Sequence, residues 1–138
     1  MPANHEVNAS SNTCHWGVFS AALPPVLTVQ SGDRVTLHCV SGAREIIPDG
    51  DFIVLPEHRE ITAALTAPVG GGHILTGPVA VEGARPGDVL EIRIIDIKLR
   101  QDWGWNVIRP LAGTIPEDFP ATRLLNIPLD RERVLAKL

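Results

Sequence analysis

Five histidines and one acidic pair are the side chains best suited to acid–base or metal chemistry in this sequence. They are His5, His15, His38, His58 and His73, with Glu117 and Asp118 side by side in "TIPEDFP". An imidazole can relay a proton near neutral pH or ligate a metal. A carboxylate held rigid by flanking prolines, here Pro116 and Pro120, can act as a general base or a metal ligand. The spacing of the histidines gives no zinc signature, because no HxH, HxxxH or HExxH pair occurs. His5 lies in a polar lead-in, His38 alternates away from the apolar side of its strand, and His58 falls in a polar helical stretch. All three read as surface residues. His15 sits in "CHWG", beside a thiol and an indole, but neighbours on a strand point apart, so Cys14 and His15 do not form a catalytic dyad. His73 follows Gly70-Gly71-Gly72, where glycine either lets backbone approach closely or forms a loose connection. His15 also reads as a partly buried histidine near Trp16, and Glu117 with Asp118 as a solvated turn.

Other chemistries are absent by motif. There is no G-x-S-x-G elbow, and no glycine-rich phosphate loop opens a helix. Cys14 and Cys39 form no CxxC pattern and read as free thiols of a reducing cytoplasm. A cupredoxin-like copper module, which "VQSGDRVTL" resembles, is a weaker reading: the only methionine is Met1, and Cys39 has no histidine shortly after it. Trp103 and Trp105 in "WGWN" face the same way on an extended segment, where they line a small pocket or cap the end of a sheet. The net charge of −4, with no basic block, argues against nucleic acid. Apolar runs such as "FIVL" are too short to span a bilayer, and "MPANHEVNASSN" is too polar for a secretory signal.

The elements that must position these residues are mostly strands. Twelve prolines and twelve glycines, spread through 138 residues, suit many short strands and tight turns better than a helix bundle. "VLTVQSGDRVTLHCV" (26–40) reads as a hairpin-like unit turning at Ser31-Gly32-Asp33. "GPVAVEGARPGDVLEIRIIDIKL" (77–99) repeats the plan, turning at Pro86-Gly87-Asp88. In its second strand Leu90, Ile92 and Ile94 share a face, and the phase then flips to Ile95, Ile97 and Leu99; a bulge near Ile94 would keep both sets inward. The common pattern G-D-x-V/L-x-L/I suggests a β-sandwich built from similar hairpins. "PEHREITAAL" (56–65) is predicted as one short helix, with Pro56 in its first turn and Ile61 and Leu65 four apart. "PVGGGH" (68–73) is a loop, and the chain from "WGWN" onward is loop-rich. Val134, Leu135 and Leu138 form an apolar stripe, which suggests an interrupted fold or one that is finished by a partner.

Four stretches in order carry a resemblance: "CHWGVFSAALPPVLTVQSGDRVTL", "HILTGPVAVEGARPGDVLEIRIIDI", "QDWGWNVIRPLAGTIPEDFP" and "IPLDRERVLAKL". Together they resemble the N-terminal half of the acetamidase/formamidase family, from about residue 5 to the end. The resemblance implies an all-β, jelly-roll-like β-sandwich. It also implies hydrolysis of short amides such as formamide or acetamide to a carboxylate and ammonia. A divalent metal, zinc being the implied ion, would activate the water, with ligands mostly outside this chain. The resemblance puts His15, His73, Glu117 and Asp118 on the site side of this half without fixing their roles. Family members run to roughly twice this length, and their second-half stretches, of H-G-G-N-x-D and H-x-x-Q-G-D-G-E type, do not occur here. The expected partners are therefore a small amide and either a second copy of the chain or a companion C-terminal half. The alternative is a non-catalytic half-domain that self-associates or pairs with such a chain.

Overall fold

Among the described residues, short β-strands and one α-helix make up the regular structure, as the spread of proline and glycine predicts. The structure is a computed structural model, and it describes residues 1–65 and 72–137. The strands are β1 (Asn4–Val7), β2 (Cys14–Trp16), β3 (Leu27–Val29), β4 (Arg34–Leu37), β5 (Ile74–Thr76), β6 (Val79–Val81), β7 (Trp103–Ile108), β8 (Arg123–Asp130) and β9 (Leu135–Ala136). The helix α1 spans Pro56–Ala64, one residue short of the predicted stretch. Single 3-10 turns occur at Arg44–Ile46 and Pro116–Asp118. The all-β class stands, in sheets of two and three strands. The chain divides into two compact units. The first comprises Met1–Arg44 and Pro56–Ile95, and the second Glu45–Leu55 and Asp96–Leu138.

In the first unit the strands pair across long sequence distances. β1 runs parallel to β4, with Asn4 opposite Arg34 and Val7 opposite Leu37. β3 runs parallel to β6, with Leu27 opposite Val79 and Val29 opposite Val81. β2 runs antiparallel to β5. The hairpin expected over 26–40 therefore does not form. Its turn is present, but β3 and β4 leave it for different partners. Val7, Ala9, Cys14, Trp16, Val29, Val40, Ile61 and Ile74 are the buried apolar side chains of this unit. Helix α1 contributes Ile61 from one face, and the Trp16 indole N–H donates to the Leu65 carbonyl just past its end (3.2 Å).

The two Gly-Asp turns are alike in detail. In the first, Asp33 donates its N–H to the Gln30 carbonyl (3.1 Å), and its carboxylate accepts the Gln30 N–H (3.0 Å). In the second, Asp88 donates to the Arg85 carbonyl (3.1 Å) and accepts the Arg85 N–H (2.8 Å). The preceding glycines, Gly32 at φ 93° and Gly87 at φ 101°, occupy the left-handed region that such turns require. The sequence repeat is thus also a structural one. It ends after the second turn, however. Residues 89–100 carry no strand, helix, turn or bend, and they join no ladder among the described residues. The strand and bulge expected there are absent, because alternation supplies a face but not a neighbour to pair with.

The second unit holds the longest ladder among the described residues, where the sequence suggested mostly loop. β7 and β8 pair antiparallel over six residues, from Trp103 opposite Pro128 to Ile108 opposite Arg123, and β9 adds a short third strand. Pro110, Pro116 and Pro120 fall in the connection between β7 and β8, and Pro128 lies within β8. Trp103 is 1% exposed. Its indole donates to the Ile53 carbonyl (3.0 Å), while the Ile53 N–H donates to the Asp102 carboxylate (2.8 Å). Trp105 lies two residues along the same strand and is half-buried. Of the apolar stripe at the end, Val134 and Leu135 are exposed, Leu135 beginning β9, and Leu138 lies outside the described residues.

Candidate active site

The β2–β5 ladder brings His15 and His73 together. Cys14 pairs with Thr76, His15 with Leu75 and Trp16 with Ile74. The next step continues the register, since the Gly17 N–H donates to the His73 carbonyl (2.7 Å). Cys14, Trp16 and Ile74 are buried, so the alternation sends His15, Leu75 and His73 to the other face. His15 and His73 are then diagonal neighbours on one side of a two-stranded ladder. Neither the distance of 58 positions between them nor any spacing rule reveals this; only the strand pairing does.

The glycines beside His73 have a defined purpose. Gly17 adopts φ 41°, and a Cβ built there would stand 3.1 Å from the Gly72 Cα. Two backbones meet at that point with no room for a side chain between them. This contact holds His73 against the end of β2. Residues 68–71 of the predicted loop lie outside the described residues.

His15 is occupied. Its Nδ1 lies 3.2 Å from the Gly77 carbonyl oxygen and its Nε2 lies 3.1 Å from that of Val18. A neutral ring has one N–H and satisfies one of these acceptors; a doubly protonated ring satisfies both. Either way both nitrogens face carbonyl oxygens, and His15 ties the strand end at Gly77 to the loop after β2. His73 is exposed. Glu117 and Asp118 belong to the second unit, in the 3-10 turn Pro116–Asp118, and both are exposed. Among the described residues, no group of three or more histidine, cysteine, aspartate or glutamate side chains is placed to hold a metal ion. The donor set of these residues therefore does not fit a zinc site. Both cysteines are free, Cys14 buried and Cys39 exposed.

The remaining histidines divide differently from the sequence reading. His58, expected at the surface, is 0% exposed. It lies three residues before Ile61 on α1, which puts both on the buried side of that helix. Its Nε2 hydrogen-bonds with the Gly42 carbonyl (3.1 Å). Desolvation holds its pKa below the ordinary value of 6.5, outweighing the opposing pull of that carbonyl. His38 is half-buried and meets the Glu6 carboxylate at 2.6 Å. His5 donates to Asp33 at 2.9 Å. Asp33 also accepts the N–H groups of Ala3 (2.7 Å) and Gln30 (3.0 Å), and its side chain is 7% exposed. Those two backbone donors, then His5, lower its pKa from 3.8 to about 2. The Asp33 carboxylate thus joins the turn at Gln30 to the backbone of Ala3 and the side chain of His5. It was missed because a Gly-Asp turn gives no hint of which donors reach the carboxylate from 28 and 30 residues away.

The sequence, compared with known proteins, matches the model of the acetamidase/formamidase family over residues 3–123. The chain belongs to that family. The formamidase of Methylophilus methylotrophus is 30% identical over 103 residues, which cover 71% of this chain. The same alignment covers 23% of the formamidase, so the chain spans about a quarter of that relative's length. No solved structure matches. The family assignment thus agrees with the motifs from "CHWG" to "PEDFP", all of which fall within the matched residues.

Proposed function

We propose that this chain is part of an amidase that hydrolyses the carbon–nitrogen bond of short linear amides, such as formamide or acetamide, to a carboxylate and ammonia. The observation that carries the reading is the family match over residues 3–123. Amide hydrolysis needs an activated water, a group that stabilises the tetrahedral oxyanion and an acid for the departing nitrogen. Of the candidate residues, His73 is the one that the ladder fixes in place and leaves exposed. His15 positions the strand ends beside it. Glu117 and Asp118 are the acidic candidates of the second unit. The proposed divalent metal, zinc, would take its ligands mostly from polypeptide outside these 138 residues.

The test is ammonia release from formamide and acetamide, measured for the 138-residue chain alone and for a family-length polypeptide that contains it. The expected result is little turnover by the chain alone, metal-dependent turnover by the longer protein, and a loss of ~100-fold or more in the longer protein for His73→Ala, the scale of a general acid–base contribution. Absence of turnover of either amide by the longer protein would sink the reading. Robust turnover by the short chain alone would overturn the placement of the metal ligands.

A second reading has its own observation. Val89, Leu90, Ile92, Ile94 and Ile95 are all between 66% and 96% exposed. Such a run favours a non-catalytic half-domain that pairs with a second chain or a second copy of itself. A soluble monomer with no amidase activity in any longer context would count against both readings.

A further inference from the structure

The two Gly-Asp repeats have the same turn and different continuations. After Asp33, residues Arg34–Leu37 form β4, which lies parallel to β1. The Arg34 N–H donates to the Ala3 carbonyl (2.9 Å) and the His38 N–H to the Val7 carbonyl (3.0 Å). The same incoming strand supplies the two remaining partners of the turn carboxylate. The Ala3 N–H reaches Asp33 Oδ1, and the His5 imidazole, two residues on, reaches Oδ2. One short strand thus completes both the sheet edge and the carboxylate.

In the second repeat Val89, Leu90, Glu91 and Ile92 stand where Arg34, Val35, Thr36 and Leu37 stand in the first. The first half of the arrangement is already built, with β6 paired to β3 and Asp88 capping the Arg85 N–H. The second half is open. Asp88 is exposed, and residues 89–95 make no backbone hydrogen bond to another segment among the described residues. Leu90, Ile92 and Ile94 alternate as the side chains of a paired strand do, yet they are 66%, 75% and 76% exposed.

We propose that residues 89–93 form a docking edge for a parallel β-strand of β1 type. That strand brings a backbone N–H and, two residues later, an imidazole or cationic side chain to the Asp88 carboxylate. It comes from polypeptide outside these 138 residues. The chain spans only 23% of its formamidase relative, so ample sequence exists elsewhere in the family to supply it. A second copy of this chain is the poorer occupant, because its own β1 is engaged by β4 and its own His5 by Asp33. The partner would pair by main-chain hydrogen bonds, with alternate apolar positions setting its register. This surface is independent of amide hydrolysis, and its test does not measure activity.

The experiment uses the isotopically labelled 138-residue chain and a synthetic peptide with the sequence of residues 2–9, PANHEVNA. By analogy with the amides of Arg34 and His38, those of Val89, Glu91 and Arg93 should shift in NMR spectra on titration and gain at least ~10-fold protection from hydrogen exchange. A peptide carrying His5→Ala should bind about threefold or more weakly, as should the Asp88→Asn chain, since each removes one side-chain contact to the carboxylate. The Glu91→Pro chain, altered only in an unpaired stretch, should keep its fold by circular dichroism and lose peptide binding. The proposal is overturned if no shifts occur or if shifts fall on Arg34–Leu37 instead. It is equally overturned if the altered peptide binds as well as the original. Protection at residues 89, 91 and 93 that rises with chain concentration, without peptide, would assign the edge to a second copy and overturn the choice of occupant.

Discussion

Residues 30–37 and residues 85–92 begin as the same structure and end as different ones. Each opens on a turn closed by an aspartate carboxylate over a backbone N–H three residues earlier. Each continues into alternating apolar positions. One continuation lies in a sheet and the other in none. The difference is not in the local sequence, which is at least as apolar in the unpaired copy. It lies in whether a strand arrives from elsewhere with its donors. A turn is specified by a few neighbouring residues, whereas a ladder is specified by two segments and the chain that connects them.

That contrast can be sharpened or broken in solution. The largest difference should appear in native-state hydrogen exchange. The amides of Arg34 and His38 should be at least ~100-fold more protected than those of Val89 and Arg93. Comparable rates would mean that the two continuations are equally open. The next effect is on stability. Val7→Ala, which trims the buried side chain opposite Leu37, should cost about 2 kcal/mol in denaturant unfolding. Ile92→Ala should stay within about 0.5 kcal/mol, because there is no packing to lose. A large loss at Ile92 would show that the second continuation is already packed in the isolated chain.

The smallest effect concerns acid. Asp33 has a folded-state pKa depressed from 3.8 to about 2, so its contribution is present above 3.8 and is lost as pH falls toward 2. Asp33→Asn should remove that limb of the pH–stability profile, and Asp88→Asn should leave it in place. Burial depresses the pKa of His58 as well. Its contribution is complete above 6.5 and declines as pH falls below that value, so its loss begins at a higher pH than that of Asp33. A His58→Gln variant should flatten the upper window and leave the Asp33 limb unchanged.

How far the sequence was legible follows the same division. The helix at Pro56–Ala64 and both Gly-Asp turns were readable because their signals are local: a first-turn proline, apolar residues four apart, and glycine before aspartate. Partner choice was not. The hairpin expected at 26–40 failed because β3 and β4 find better-placed neighbours in β6 and β1. The ladder of β7 and β8 was masked by prolines that turn out to fall mainly in their connection. His58 was misplaced because the composition of α1 is polar overall, although its spacing of three from Ile61 was a usable signal of burial. For the candidate site, sequence named His15 and His73 singly, and the ladder put them on one face. No local pattern marks that a carbonyl oxygen awaits each nitrogen of His15. Glu117 and Asp118 remain exposed acids on a proline-framed turn, as their sequence suggested.

The placement of the three tryptophans has an optical consequence. Trp16 is the sole indole of the first unit, anchored to the Leu65 carbonyl at the end of α1, while Trp103 and Trp105 both belong to the second. Emission recorded with Trp103 and Trp105 replaced by phenylalanine would come from the first unit alone, and emission with Trp16 replaced from the second alone. The chain therefore carries a natural two-channel fluorimeter, able to report whether its two units melt together or in succession.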